Sequence, residues 1–146
     1  MIHETRIDLP ANARGEQPFL HCRVAGPVGA PLLLFLHGFP EGPFIWDEVI
    51  THFAATHRCV APALRGYPGS YTPTEVKAYR AHEVVADLLA LIRLQPPTPD
   101  TPAAAVIGHD WGGAIAWTLA SMAPQALQRL LILNAPHTAT FVRDLK

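Results

Sequence analysis

The sequence predicts an α/β fold: a mostly parallel sheet flanked by helices, with an antiparallel hairpin at its N-terminal edge. Three observations predict it. Residues 31–36 and 103–107 are unbroken apolar runs, the pattern of strands buried on both faces. Two other stretches, 82–94 and 114–122, carry apolar residues at helical spacing. Upstream of all four, segments 5–9 and 19–24 flank a turn region containing Pro, Asn and Gly, as the arms of a hairpin do.

Each element follows in order. The hairpin comes first, then the strand at 31–36. Pro43 starts a helix at its first turn, where a missing N–H costs nothing. Asp47 and Glu48 lie early in that helix and His57-Arg58 at its end, as the macrodipole favours. Trp46, Val49, Ile50 and Phe53 make its apolar stripe. Residues 59–64 are the next strand. In the helix at 82–94, Val84, Leu88, Leu91 and Ile92 share a face. The proline-rich stretch 96–102 is a stiff loop within a βαβ pattern, not a domain linker. The strand at 103–107, the helix at 114–122 and a last strand at 130–133 complete the alternation. The segments ending at Leu36, Leu64, Ile107 and Leu133 are expected to lie side by side and parallel. No internal repeat is visible, and residues 1–146 read as one domain.

Chemistry concentrates where the 103–107 strand meets its helix. Val106-Ile107-Gly108-His109-Asp110-Trp111-Gly112-Gly113 contains G-x-D-x-G, a turn too short for an ordinary loop. The central residue of such a turn is strained, and its glycine flanks let strand and helix backbones approach closely. Its side chain is thrust clear of the backbone, beside the N–H groups that open a helix. Asp110 there reads as a nucleophile or as a helix N-cap, and these residues alone leave both open. A phosphate cradle fits poorly: no Lys-Ser/Thr follows, and Asp110 would repel the anion. A second constellation, His37-Gly38-Phe39-Pro40-Glu41, ends the 31–36 run. An ordinary strand-to-helix connection explains Gly38 and Pro40, but not their match with the later turn.

Taken together, His37-Gly38-Phe39-Pro40-Glu41, Trp46, Leu64-Arg65-Gly66-Tyr67 and Gly108-His109-Asp110-Trp111-Gly112-Gly113 resemble the α/β-hydrolase superfamily. Within it the chain is most similar to the epoxide hydrolases, with the haloalkane dehalogenases close behind. Leu133-Asn134-Ala135-Pro136-His137 resembles the segment that precedes the cap domain in those enzymes. The resemblance implies an α/β-hydrolase core with Asp110 as nucleophile. It makes the backbone N–H groups of Phe39 and Trp111 an oxyanion hole. The implied reaction opens a small organic epoxide, leaves an alkyl ester on Asp110, and cleaves that ester with water. Neither cofactor nor metal enters it.

Several positions depart from that pattern. Ala63 stands where the family usually has an acidic residue. Pro68 replaces a glycine, with Gly69 one position late; both changes bear on a pocket edge and so on substrate fit. Haloalkane dehalogenases typically carry Asn at the position of Phe39, whose side chain has no donor to hold halide. That favours epoxide over haloalkane. After Asp110 the family supplies an acid and then a histidine, whereas this chain offers only His137 and then Asp144. His137 matches the pre-cap segment instead. The cap tyrosines and last core strands have no counterpart. The chain therefore resembles the N-terminal half of an enzyme and is expected to be inactive alone. The alternatives are a haloalkane dehalogenase-like hydrolase, or a non-catalytic truncated product prone to self-association through an exposed sheet edge.

Composition agrees with this reading. Of 146 residues 49% are hydrophobic and the formal net charge is −1, which points away from nucleic acid and anionic membranes. The first residues lack the apolar core of a signal peptide, and no apolar run spans a bilayer. A cytoplasmic protein acting on a small molecule is expected, with Cys22 and Cys59 as reduced core residues. The eight histidines show no H-x-x-x-H or H-E-x-x-H spacing. His3, His21, His52, His57 and His82 read as surface or partly buried. His37 and His109 are expected to shape the two loops by hydrogen bonds. Glu41 reads as a helix start rather than a catalytic acid, and Trp117 as core rather than pocket.

Overall fold

Apolar residues at every position of a strand demand cover on both faces, and residues 32–36 receive it. Leu32, Leu34 and Leu36 enter one core; Leu33 and Phe35 enter another on the opposite side, and all five are buried. The computed structural model describes residues 1–95 and 97–146. Its strands are β1 (His3–Asp8), β2 (Phe19–Ala25), β3 (Leu32–Leu36), β4 (Arg58–Pro62), β5 (Ala105–His109) and β6 (Leu130–Leu133). Its α-helices are α1 (Asp47–Phe53), α2 (Ala81–Arg93), α3 (Trp111–Met122) and α4 (Thr138–Asp144).

The strands form one sheet in the order β1-β2-β4-β3-β5-β6. β1 pairs antiparallel with β2, and β2 antiparallel with β4, while β4, β3, β5 and β6 run parallel. The hairpin is therefore at the sheet edge, and the four parallel segments are neighbours, as the sequence predicts. Helices α2 and α3 cover one face through Val84, Leu88, Leu91, Ile115 and Leu119. Trp46 and Ile50 cover the other, with Trp46 tilted against Phe35 at 5.3 Å between ring centroids. Register fixes the functional end: Leu36 faces Gly108 and His109 faces Leu133. The loops that leave β3 and β5 thus emerge side by side at the C-terminal ends of central strands.

Several boundaries differ from expectation. β4 stops at Pro62, not Leu64, because the Leu64 N–H donates to the His37 ring (3.0 Å) rather than to a strand. The turn begun by Pro43 is a 3₁₀ helix, Pro43–Trp46, that runs into α1. Helix α1 ends at Phe53, so His57 lies beyond it and Arg58 opens β4. Only Trp46 and Ile50 of the expected stripe are buried; Val49 and Phe53 are 37% and 38% exposed. Glu41 does not start the helix, whose cap is Gly42. Helix α3 begins at Trp111, three residues before 114, since Gly112 and Gly113 are helical. β5 is displaced to Ala105–His109, and Ala103 keeps only an isolated bridge to Leu127. Of the expected loop 96–102, Pro96 lies outside the described residues. Among those residues no helix is long and apolar enough to cross a membrane.

Candidate active site

Asp110 is where local sequence and long-range register meet. Its backbone has φ 55° and ψ −121°, a conformation that side-chain-bearing residues avoid. Holding it there costs about 1–3 kcal/mol, which the surrounding packing must offset. The flanking glycines show why the turn is so tight. A Cβ on Gly108 would come within 2.5 Å of the Gly112 carbonyl oxygen, and one on Gly112 would strike the Leu36 and His37 carbonyls. Helix α3 can approach β5 and the end of β3 this closely only without side chains there.

The side chain of Asp110 does not cap α3, although it occupies the cap position. Instead its Oδ2 accepts the backbone N–H of Phe39 at 3.1 Å, across 71 residues of sequence. That bond first, and the N–H of Trp111 second, hold the Asp110 carboxyl below the ordinary carboxylate range. The carboxylate is exposed and, among the described residues, has no ion-pair partner. The cap alternative left open by the sequence is thereby overturned: the register of β3 against β5 supplies a better donor than the helix's own first turn.

Two histidines brace the loops. His37 is fully buried; its Nδ1–H donates to the Gly38 carbonyl (2.9 Å) and its Nε2 accepts from Leu64. Burial pushes its pKa down, so it stays neutral. His109 Nδ1 lies 3.2 Å from Glu41 Oε2, which ties the elbow, the tight turn at Asp110 between β5 and α3, to the end of the Phe39 loop. Both therefore shape the loops by hydrogen bonds, as expected, while the sequence misassigned Glu41, His109's partner.

Above Asp110 is an open, mainly apolar chamber of about 770 Å³, lined among others by Phe39, Tyr67, Trp111, Asn134, Pro136 and Phe141. Among the described residues no histidine lines it. His137 instead caps α4, its Nδ1 accepting from the Ala139 N–H (3.2 Å), with its ring edge-on to Trp117. Trp117 is half-buried, donates to the Ala135 carbonyl (3.2 Å) and stays off the chamber wall. Asp144 pairs with Arg143 at 2.8 Å on the surface. His137 and Asp144 are thus brought neither together nor to Asp110. Cys22 and Cys59 are buried and unpaired, and burial pushes their thiols up to about 12 and about 11. No group of three or more metal-ligating side chains is present among the described residues.

The departures at Ala63 and Pro68 both line a second, smaller pocket, which also meets Tyr67. Sequence reasoning missed Tyr67's place between the two spaces. The only signal for it was its position directly after Arg65-Gly66.

Comparison with known proteins is consistent with this geometry. A family model described as the alpha/beta hydrolase fold matches residues 31–146. The chain is 36% identical over 121 residues to epoxide hydrolase 4 of Mus musculus, covering 83% of this chain and 33% of that protein. It is 42% identical over 120 residues to the AB hydrolase superfamily protein YfhM of Bacillus subtilis (strain 168), covering 81% and 40%. Among solved structures, one of the novel epoxide hydrolases from metagenomes of hot environments superposes with a TM-score of 0.83 at 40% identity, over 97% of this chain and 45% of that one. Epoxide hydrolase VrEH1 from Vigna radiata gives 0.79 at 29% identity, over 92% and 39%. The chain spans between a third and two fifths of the length of these two curated relatives.

Proposed function

We propose, from the premise that this chain belongs to the α/β-hydrolase family, that Asp110 is the nucleophile of an epoxide hydrolase-type reaction on a small organic epoxide. One observation carries the reading: a strained, exposed carboxylate at the floor of an apolar chamber, held by a backbone N–H instead of a cation. An ion-paired carboxylate would be a poorer nucleophile. This one is ionised at neutral pH and faces the space where a substrate would sit.

In the first step a carboxylate oxygen attacks a ring carbon of the epoxide. The carbon–oxygen ring bond breaks, and the alkoxide that leaves must take a proton. The product is an alkyl ester on Asp110. In the second step water attacks the Asp110 carbonyl carbon, and the N–H groups of Phe39 and Trp111 receive the oxyanion. Ester cleavage then releases the diol and restores the carboxylate. That step needs a histidine base held by an acid. Within residues 1–146 the nearby histidines are committed elsewhere: His37 to Gly38 and Leu64, His109 to Glu41. These residues by themselves are therefore expected to stop at the ester. Epoxide is favoured over haloalkane because the Phe39 side chain offers halide no hydrogen bond. A cytoplasmic setting with both cysteines reduced belongs to the same reading.

The test is to incubate the purified chain with an excess of a reactive epoxide and follow intact mass and diol together. General acid help is worth about 10²–10⁴-fold, and among the described residues neither a histidine nor a carboxyl group other than Asp110 lines the chamber, so the reaction of residues 1–146 should be slow. One adduct per chain, mapped to Asp110 and absent in Asp110→Ala, is the expected result. Sustained diol release that Asp110→Ala abolishes would show that another group supplies the base. No adduct under forcing conditions would remove the nucleophile assignment, and alkylation by a bromoalkane in preference to the epoxide would move the reading to the haloalkane side.

A further inference from the structure

Tyr67 belongs to the walls of two separate spaces. One is the chamber over Asp110; the other is a pocket of about 220 Å³ whose apolar side is Pro43, Phe44, Ala63 and Pro68. The polar side of this second pocket has no charge to spare. Arg23 is held by Asp47 at 2.6 and 2.7 Å and also by Glu4, and His21 lies 3.3 Å from Glu4. What remains free to meet a ligand is mainly hydrocarbon.

The ring between these spaces is fixed. The Tyr67 N–H donates to the Leu64 carbonyl (2.9 Å), and its carbonyl accepts from the Ser70 N–H (3.1 Å). Its ring stands edge-on to His37, 4.5 Å between centroids and 79° between planes. His37 is buried with both ring nitrogens engaged, so it cannot yield. Among the described residues the Tyr67 hydroxyl has no hydrogen-bond partner, so packing and the backbone turn hold the ring. Burial first, and the Asp110 charge second, push the phenol up and keep it protonated.

We infer that Tyr67 is a specificity-determining wall: it divides the chamber over Asp110 from the second pocket, restricts substrates to short substituents on that side, and leaves the second pocket as a latent subsite for an unbranched alkyl tail. The inference rests on the reading of the Asp110 chamber as a substrate site, but its test requires no bond to Asp110. Propane-1,2-diol and octane-1,2-diol are titrated into the isotopically labelled 146-residue chain, and backbone amide resonances are followed.

In the unmodified chain both diols shift Trp111, Ala114 and Asn134 and leave Gly42 and Phe44 in place. In Tyr67→Leu, octane-1,2-diol shifts Gly42 and Phe44 as well and binds roughly tenfold tighter, the gain expected when about two further methylenes leave water. Propane-1,2-diol, too short to cross, still leaves Gly42 and Phe44 in place. Adding Phe44→Trp fills the opened space and removes the gain, whereas Tyr67→Phe keeps the ring in place, so octane-1,2-diol still leaves Gly42 and Phe44 unshifted. The inference is overturned if octane-1,2-diol fails to reach Gly42 and Phe44 in folded Tyr67→Leu. It is equally overturned if the diol already reaches them in the unmodified chain, a result that needs no variant to fold. Failure of epoxide to alkylate Asp110 would defeat the proposed reaction and leave this result standing.

Discussion

Asp87 lies on α2, 4% exposed, with its two carboxylate oxygens held by the Arg65 guanidinium at 2.7 and 2.6 Å. Asp110 stands in the open at the head of α3, with backbone N–H groups beside it and a backbone at φ 55°. The buried aspartate has an ordinary helical backbone and both carboxylate oxygens paired, while burial still pushes its pKa up. Arg65 completes its own shell with the Ala78 carbonyl at 2.8 Å. The exposed aspartate has a strained backbone and a charge left accessible. One carboxylate fastens the loop after β4 to α2; the other is left accessible at the wall of the chamber. The contrast teaches that a carboxylate's role follows from what neutralises it. A guanidinium consumes both oxygens, whereas backbone N–H groups stabilise the charge without covering it.

Substitution at each aspartate should separate the two roles. Asp110→Gly is expected to abolish adduct formation completely while raising stability by about 1 kcal/mol, because glycine accepts the elbow's φ without strain. Intact-mass kinetics and urea unfolding on the same sample read both effects. A loss of stability would mean that the Asp110 side chain supports the fold, and the contrast would break. Asp87→Ala should do the reverse. It leaves the buried Arg65 with only Glu83, at 3.5 Å, as a counter-charge and should cost up to about 3–5 kcal/mol in urea unfolding. Alkylation per folded chain should be unchanged, since Asp87 lines no part of the chamber.

The smallest effect concerns pH. The N–H of Phe39, then that of Trp111, lower the Asp110 pKa. Its ionised form therefore survives as pH falls through the ordinary aspartate value of about 3.9. The rate of Asp110 alkylation should stay level down to that value and fall only below it. A decline that already sets in near neutrality would show that these N–H groups do not hold the charge.

Much of this architecture was legible in advance. Unbroken apolar runs gave β3 and β5 their central places, because only a strand covered on both faces tolerates them. The elbow was legible because glycine at 108 answers a local steric demand, the Gly112 carbonyl four residues on, whereas the demand at Gly112 comes from Leu36 and His37 across the sheet. Asp87 left a trace as well: it sits one turn from Val84 and Leu91 on the inward face of α2, where a carboxylate requires a partner. The sequence did not say that the partner is Arg65, 22 residues earlier. Glu41 was misread for the same reason. Its neighbours Gly42 and Pro43 announce a helix start, and its true partner, His109, is 68 residues away.

The division between sequence and structure follows from range. Sequence by itself determined the strand and helix periods, the parallel core and the strained turn at Asp110. These depend on sterics and burial patterns that repeat within a few residues. Tertiary structure decided that Asp110 accepts from Phe39 instead of capping α3, that Arg65 closes on Asp87, and that Tyr67 separates two cavities. Each of these depends on which residues the sheet register and helix packing bring within about 3 to 5 Å, a length at which hydrogen bonds and ring contacts form and which no local pattern specifies.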